Sequence, residues 1–272
     1  MMDNPVFKID KPMVMGILNL TPDSFFDGNR YNTEKAAVKR VERMLEEGAD
    51  IIDMGAFSSR PGATLVSYED ERHRLIPVLK AVKKQFPDTV ISVDTYRHQI
   101  ANEVVGEGAQ MINDISGGNL DNNMFLTIAK LQVPYIMMHM KGTPPNMQNQ
   151  TDYTDVVKDI KAFFSLKIKQ LNKLGFDKII LDPGFGFGKT LEQNYEILNR
   201  LNEFQDLNYS VLVGMSRKSM LYKLLDVTPD EALNATSVVN TIALLKGAKI
   251  LRVHDVKQAV ETVKIAAKLI GD

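Results

Sequence analysis

The chain has 272 residues, 44% of them hydrophobic, enough to bury one large core without requiring a second domain. Its 33 lysines and arginines stand against 34 acids, a formal net charge of −1, so the basic excess that phosphate-backbone binding demands is missing and no nucleic-acid partner is expected. With no cysteine, disulfides, thiolate metal sites and cysteine nucleophiles are excluded, which fits a reducing compartment.

The N-terminal stretch MMDNPVFKID lacks an apolar signal core, and no run approaches the roughly 18 uncharged apolar residues of a membrane span. The expectation is a soluble, cytoplasmic protein that does not bind a membrane. Short apolar runs then alternate with longer segments of helical period along the whole chain, the rhythm of βα units in a parallel sheet. Strands are expected at residues 14–18, 50–55, 89–95, 111–116, 134–139, 178–184, 210–216 and 250–255, each followed by a helix. The clearest helices are 33–47, with Ala36, Ala37, Val41, Met44 and Leu45 on one face, and 256–270, with Val256, Ala259, Val260, Val263, Ala267 and Ile270.

Three helix-to-strand joints repeat one pattern: Gly48-Ala49-Asp50, Gly108-Ala109-Gln110 and Gly247-Ala248-Lys249 each precede an apolar strand. Glycine there fits a helix C-cap of positive φ. The fifth residue after each glycine is polar within an apolar run, namely Asp53, Asn113 and Arg252, and such a residue is either badly buried or placed for work. Successive units without a long crossover favour a closed (β/α)8 TIM barrel in a single domain over a doubly wound open sheet. The longer connections, 21–32, 57–67 and 141–154, all follow strands. In a barrel they lie at the C-terminal face, where active sites are built.

The strand ends carry Asn19, Asp53, Asp94, Asn113, His139, Asp182, Ser216 with Lys218, and Arg252 with His254. Asp94, Asn113 and Asp182 suit a flat heterocycle rich in N–H groups, whereas Lys218, Arg252 and His254 suit a phosphate as cations. Arg252 and His254 are two apart on a strand and share a face, so both can grip one anion. Blander readings exist for single positions. Asp94 and Asp114 could each cap the next helix, Asp53 could be a buried structural acceptor for neighbouring loops, and His73 and His98 read as solvated helical residues that form no zinc site. The stretch Pro183-Gly184-Phe185-Gly186-Phe187-Gly188-Lys189-Thr190 fails as a phosphate loop because Pro183 stands where the first glycine belongs. It reads instead as a flexible loop that presents Phe185 or Phe187 to a ring.

These residues resemble the dihydropteroate synthases. The matching stretches are Gly16-Ile17-Leu18-Asn19-Leu20-Thr21-Pro22-Asp23-Ser24-Phe25, Ser58-Ser59-Arg60-Pro61-Gly62, Ser92-Val93-Asp94-Thr95, Ile112-Asn113-Asp114, Met138 to Pro144, Asp182 to Lys189, Gly214 to Ser219 and Arg252-Val253-His254-Asp255. The resemblance implies that Asp94, Asn113, Asp182 and Lys218 hold a dihydropterin. It implies that Asn19, Arg60, Arg252 and His254 receive its pyrophosphate, with Mg²⁺ bridging Asn19 and phosphate oxygens. Phe25, Ser59, Pro61, Phe187 and Ser219 would form a p-aminobenzoate pocket. The second loop departs from the family's usual Gly-Gly-Glu-Ser-Thr-Arg-Pro-Gly, with Ala56 for the second glycine, Phe57 for glutamate and Ser59 for threonine. The family often forms dimers through late helices, and residues 235–245 are apolar enough for a homodimer.

The implied reaction joins the pterin methylene to the amine of p-aminobenzoate with loss of pyrophosphate. Asp94, Lys218, Arg252 and His254 are its expected catalytic residues, acting by electrostatic stabilisation as the C–O bond breaks. Two other readings compete. A glycoside hydrolase would use Asp94 and Asp182 as paired carboxylates, but the chain has no tryptophan for a sugar platform. Another pterin-binding barrel, either a methyltransferase or a non-catalytic binder, would need only Asp94, Asn113 and Asp182.

Overall fold

The computed structural model describes residues 9–20, 30–57 and 66–270. Eight parallel strands close on themselves in sequence order: β1 Met13–Asn19, β2 Ile51–Gly55, β3 Val90–Asp94, β4 Met111–Asp114, β5 Tyr135–Met138, β6 Ile179–Asp182, β7 Ser210–Val213 and β8 Ala248–Val253. Around them run α1 Arg30–Glu46, α2 Tyr68–Gln85, α3 His98–Gly106, α4 Met124–Leu131, α5 Val156–Lys173, α6 Leu191–Asn199, α7 Ser219–Leu225, α8 Leu233–Leu245 and α9 Val256–Ile270. The doubly wound alternative is excluded, because β1 pairs with β8 through Met15 beside Arg252.

Each expected strand is present, several of them shorter at the C-terminal end than the apolar runs suggested. The excess residues are captured by turns. Asp114 Oδ1 accepts the Ser116 amide at 2.8 Å and Asp182 Oδ1 accepts the Gly184 amide, also at 2.8 Å, and such local side-chain bonds compete with the ladder. The three joint glycines do take positive φ, 97°, 101° and 95°. Helix starts are set by side-chain acceptors: Ser67 for α2, Asp155 for α5, and Thr190 with Gln193 in a reciprocal capping box for α6.

Side chains alternate between the two faces of a strand, which divides the apolar residues into two cores. Outward-facing residues such as Ile52, Met54, Val93, Leu181 and Leu251 pack beneath the helices. On α1 that contact uses Ala37, Val41 and Met44, while Ala36 is exposed and Leu45 half-buried; α9 turns in Val256, Ala259, Thr262 and Ala266 and leaves Ile270 exposed. Gly16 faces the same layer, where a methyl group would press on Met44 and Val256. Inside the barrel, Met15, Ile51, Met111, Ile136, Ile180, Leu212 and Ile250 form a separate apolar floor, flanked by Met13 and Val90.

Two residues further along the same inward faces the chemistry changes, to Asp53, Ser92, Asn113, Asp182 and Arg252. The polar residue recurring after each joint glycine is therefore the first inward position above the floor. Phe164 belongs to the outer core, fully buried between Phe163 and Phe204, with centroids 5.6 and 6.1 Å away. Phe164→Ala leaves a cavity there and is expected to cost about 3–5 kcal/mol, read as a lowered midpoint in denaturant unfolding.

Candidate active site

Strand register lines up the upper polar residues. Asn19 lies beside Gly55, Gly55 beside Asp94, and Asp94 beside Asn113, while Met138 lies beside Asp182 across the barrel. One level lower, Asp53 is paired with Ile17 and Ser92. Parallel pairing thus gathers side chains up to about 200 residues apart at one mouth, the Asp53–Arg252 pair among them.

The centre of that mouth is Arg252. Its Nε donates to Asp53 Oδ2 at 2.7 Å and its Nη2 to Asp94 Oδ2 at 3.2 Å. Asp53 is fully buried and also accepts Ser92 Oγ at 2.6 Å and Asn113 Nδ2 at 3.1 Å. Asp53 is therefore a structural acceptor, but for inward side chains of β3, β4 and β8 rather than for loops. Burial works against the Arg252 charge, yet Asp53 and Asp94 outweigh it and the guanidinium pKa rises. Arg252 was expected to grip an anion; in the structure two of its nitrogens also bind carboxylates, because a cation inside the barrel needs partners.

Asp94 is not a helix cap. Burial raises its pKa well above the ordinary carboxylate value, with Arg252 opposing, and its Oδ1 is buried without a hydrogen-bond partner. An unsatisfied buried acceptor costs roughly 1–3 kcal/mol, so this oxygen is ready for a ligand donor. Asp182 is buried as well, and its pKa is raised by burial against the charge of Lys218. Lys218 stands at the N-cap of α7, donates to the Phe185 carbonyl and lies 4.6 Å above the Phe187 ring. Burial lowers its pKa to about 8, with Asp182 opposing and Arg252 adding to the shift.

His254 differs from the expected cation. Burial pushes its pKa down to about 4, and the Arg252 charge adds to the effect, so the imidazole is neutral near pH 7. Its Nδ1 lies 3.1 Å from Ser216 Oγ, which also accepts the His254 amide at 3.2 Å. Beside it Arg217 grips Asp255 with two bonds of 2.8 and 2.9 Å. That pair ties the residue before Lys218 to the residue after His254. Sequence reasoning missed it, although an adjacent Arg-Lys and His-Asp were a visible signal.

Other expectations separate in space. Phe185 is fully buried in the outer core, leaving Phe187 as the ring at the mouth, with Ser219 half-buried nearby at the start of α7. His139 leaves the site: it is buried against Phe163 and close to Lys189 behind the β6 loop. Asp114 caps its own turn and accepts Tyr135 Oη at 2.7 Å, rather than capping a helix. His98 is not simply solvated, since Nδ1 meets Asp121 at 2.7 Å. Phe57 packs edge-on to Tyr96 at 5.3 Å, in an apolar cluster with Ile115, Met138, Met140 and Met147. Phe25, Ser59, Arg60 and Pro61 lie outside the described residues, as do most of the first loop and the centre of the second.

Among the described residues, no helix is long and apolar enough to cross a membrane. Residues 15–254 match the family model described as pterin binding enzyme. The chain is similar to the dihydropteroate synthase of Escherichia coli K12, 44% identical over 259 residues that cover 94% of this chain and 91% of the relative. Among solved structures it is similar to the Yersinia pestis dihydropteroate synthase in a sulfonamide drug complex, with TM-score 0.90, 42% identity and coverage of 96% and 95%. It is also similar to the Clostridium difficile dihydropteroate synthase in the presence of pteroic acid, with TM-score 0.90, 39% identity and coverage of 99% of both chains.

The depressed His254 pKa makes a signed prediction. Between about pH 6.5 and 4 the unfolded imidazole binds a proton that the folded one does not, so stability contributed by the neutral ring is present above 6.5 and lost as pH falls toward 4. His254→Asn should flatten that part of the stability profile. In a proton NMR titration the His254 midpoint should lie near 4 in the free protein and move upward when pyrophosphate is added.

Proposed function

The chain belongs to the dihydropteroate synthases, transferases of folate synthesis, and from that premise we propose how its own residues do the work. It condenses 6-hydroxymethyl-7,8-dihydropterin pyrophosphate with p-aminobenzoate to 7,8-dihydropteroate and pyrophosphate. The observation that carries the reading of the site is the partnerless Asp94 Oδ1, with Asn113 on the next strand and Asp182 at the same end of the apolar barrel. A dihydropterin presents an edge of N–H donors to such acceptors. Asp182 accepts from the 2-amino and ring N–H edge, Asn113 supplies an amide, and Lys218 donates to a ring acceptor.

Pyrophosphate leaves when its charge is met. Arg252 meets it with the donor capacity its two carboxylates leave over, and His254 meets it with a ring whose uptake of a solvent proton the incoming negative charge favours, opposing the burial effect. Asn19 and Arg60 complete the reading of the anion site. As the C–O bond breaks, positive charge spreads from the methylene into the pterin, and the Asp94 carboxylate favours that charge. The p-aminobenzoate amine then attacks, its ring held by Phe187 and Ser219 together with Phe25, Ser59 and Pro61.

The donor set also suits magnesium. Among the described residues, no three His, Asp or Glu side chains converge, so an all-protein cage is lacking, but Mg²⁺ commonly binds through one or two protein oxygens, waters and substrate phosphates. Asn19 would hold it, and the chemistry supplied when it is bound is neutralisation of phosphate charge. The glycosidase reading is weaker, because Asp94 is held in an ion pair with Arg252. We place the reaction in the cytoplasm, supported by the cysteine-free sequence, and the sulfonamide-bound relative supports sulfonamides as inhibitors of this chain.

The test is release of pyrophosphate from the pterin substrate with p-aminobenzoate, with and without Mg²⁺; no release would overturn the activity. Asp182→Ala should weaken calorimetric binding of a product-like pterin on the order of 10- to 100-fold, through loss of charged hydrogen bonds. Unchanged affinity would place the pterin elsewhere.

A homodimer is supported by α8 and α9, which pack on each other yet leave Val238, Leu245, Ile265 and Leu269 about half or more exposed. Val238 and Leu245 are seven apart and Ile265 and Leu269 four apart, so each pair forms one helical stripe. Sedimentation should show a dimer that Leu245→Glu with Ile265→Glu converts to monomers.

A further inference from the structure

Lys189 has no part in the reaction as described, yet its amine is buried under the loop that follows Asp182. Nζ donates to the carbonyls of Gly184 at 2.9 Å, Phe187 at 2.8 Å and His139 at 3.3 Å, and lies 3.2 Å from His139 Nδ1. Burial lowers its pKa to about 7, with the Asp182 carboxylate opposing and the Lys218 charge adding to the shift. The sequence suggests a flexible loop here; the structure shows one wrapped around an ammonium.

Both functional groups beside the loop depend on its shape. The Gly184 amide, one peptide group away from a carbonyl that Lys189 binds, donates to Asp182 Oδ1. Lys218 binds the Phe185 carbonyl and sits over Phe187, whose own carbonyl Lys189 holds. Two lysines thus grip the same loop from opposite sides, one from the core and one from the pocket. The backbone is fitted to this arrangement: Gly184, Gly186 and Gly188 have φ of 71°, 79° and 60°, and a methyl at Gly184 would collide with the His139 carbonyl.

We propose that Lys189 is a positioning residue for pterin recognition, fixing the loop so that the Asp182 carboxylate and the Lys218 ammonium face the pterin together. This rests on the pterin-binding reading above. Arg252 on β8 and His254 just after it make hydrogen bonds that do not pass through this loop, so pyrophosphate binding depends on Lys189 far less than pterin binding does.

The experiment compares Lys189→Met and Lys189→Gln with the wild-type protein, using calorimetry with a product-like pterin and, separately, with inorganic pyrophosphate. Lys189→Met should lose roughly tenfold or more in pterin affinity, the scale of one charged hydrogen bond, while pyrophosphate affinity stays within about twofold. Lys189→Gln, which keeps amide donors, should fall between Met and wild type. Backbone amide exchange should rise in residues 184–188 and not in the strands. Unchanged pterin affinity in both variants would overturn the inference, as would equal loss of pterin and pyrophosphate affinity. Failure of both variants to fold would also overturn it, since a fastening of one loop is dispensable to the barrel. A wild-type protein that binds no pterin would remove the functional reading and this inference together, whereas a binding wild type with unaffected variants removes the inference alone.

Discussion

A guanidinium inside a barrel of apolar strands has to be matched by carboxylates, and the contact of Arg252 with Asp53 and Asp94 meets that requirement. The rest of the mouth is arranged around it. Asp53 is held in turn by Ser92 and Asn113, so β2, β3, β4 and β8 share one hydrogen-bonded centre. Because Arg252 occupies one oxygen of Asp94, the other is left as an acceptor pointing at no protein donor. The same cation helps keep His254 neutral until an anion arrives. Structural charge balance and ligand readiness therefore come from the same few atoms.

Around that centre the loops are fastened by cations that hold backbone carbonyls or a neighbouring carboxylate. Lys189 and Lys218 hold carbonyls after β6, Arg217 joins the turns after β7 and β8 through Asp255, and Arg40 donates to the His254 carbonyl at 2.8 Å. The second loop is anchored similarly at its ends: Arg74 donates to the Ala56 carbonyl at 3.1 Å, and Arg97, held by buried Glu71, donates to the Val66 carbonyl at 2.5 Å. Loops carry the binding groups of a barrel, and here charged side chains from the scaffold limit how those loops can sit.

Much of this was legible in advance because periodicity is a local property. An apolar run between glycine and a polar residue reports a strand whatever its neighbours are, and Asp53, Asn113 and Arg252 betrayed their inward positions by interrupting such runs. Asp94, Asn113, Asp182, Lys218 and Arg252 could be gathered to one end because parallel strands in a closed barrel all point the same way. What spacing left undecided was partnership. Phe185 and Phe187 are two residues apart and chemically identical, yet the turn at Gly186 sends one to the core and the other to the mouth. His139 ends a strand like its neighbours but turns behind the next loop to meet Lys189.

The sequence by itself determined the eight-fold alternation, a parallel architecture that favours closure, and the identity of the polar residues at the strand ends, since these follow from spacing, residue type and the rules of parallel connection. The tertiary structure decided which charges are paired and which are free. Only there does Arg252 turn out to be neutralised by two acids, His254 to be uncharged, Asp94 to keep one oxygen in reserve and Lys189 to bind a loop from within. Charge state and hydrogen-bond partners depend on burial and on groups up to about 200 residues away, as between Asp53 and Arg252, and no local pattern in the chain encodes those distances.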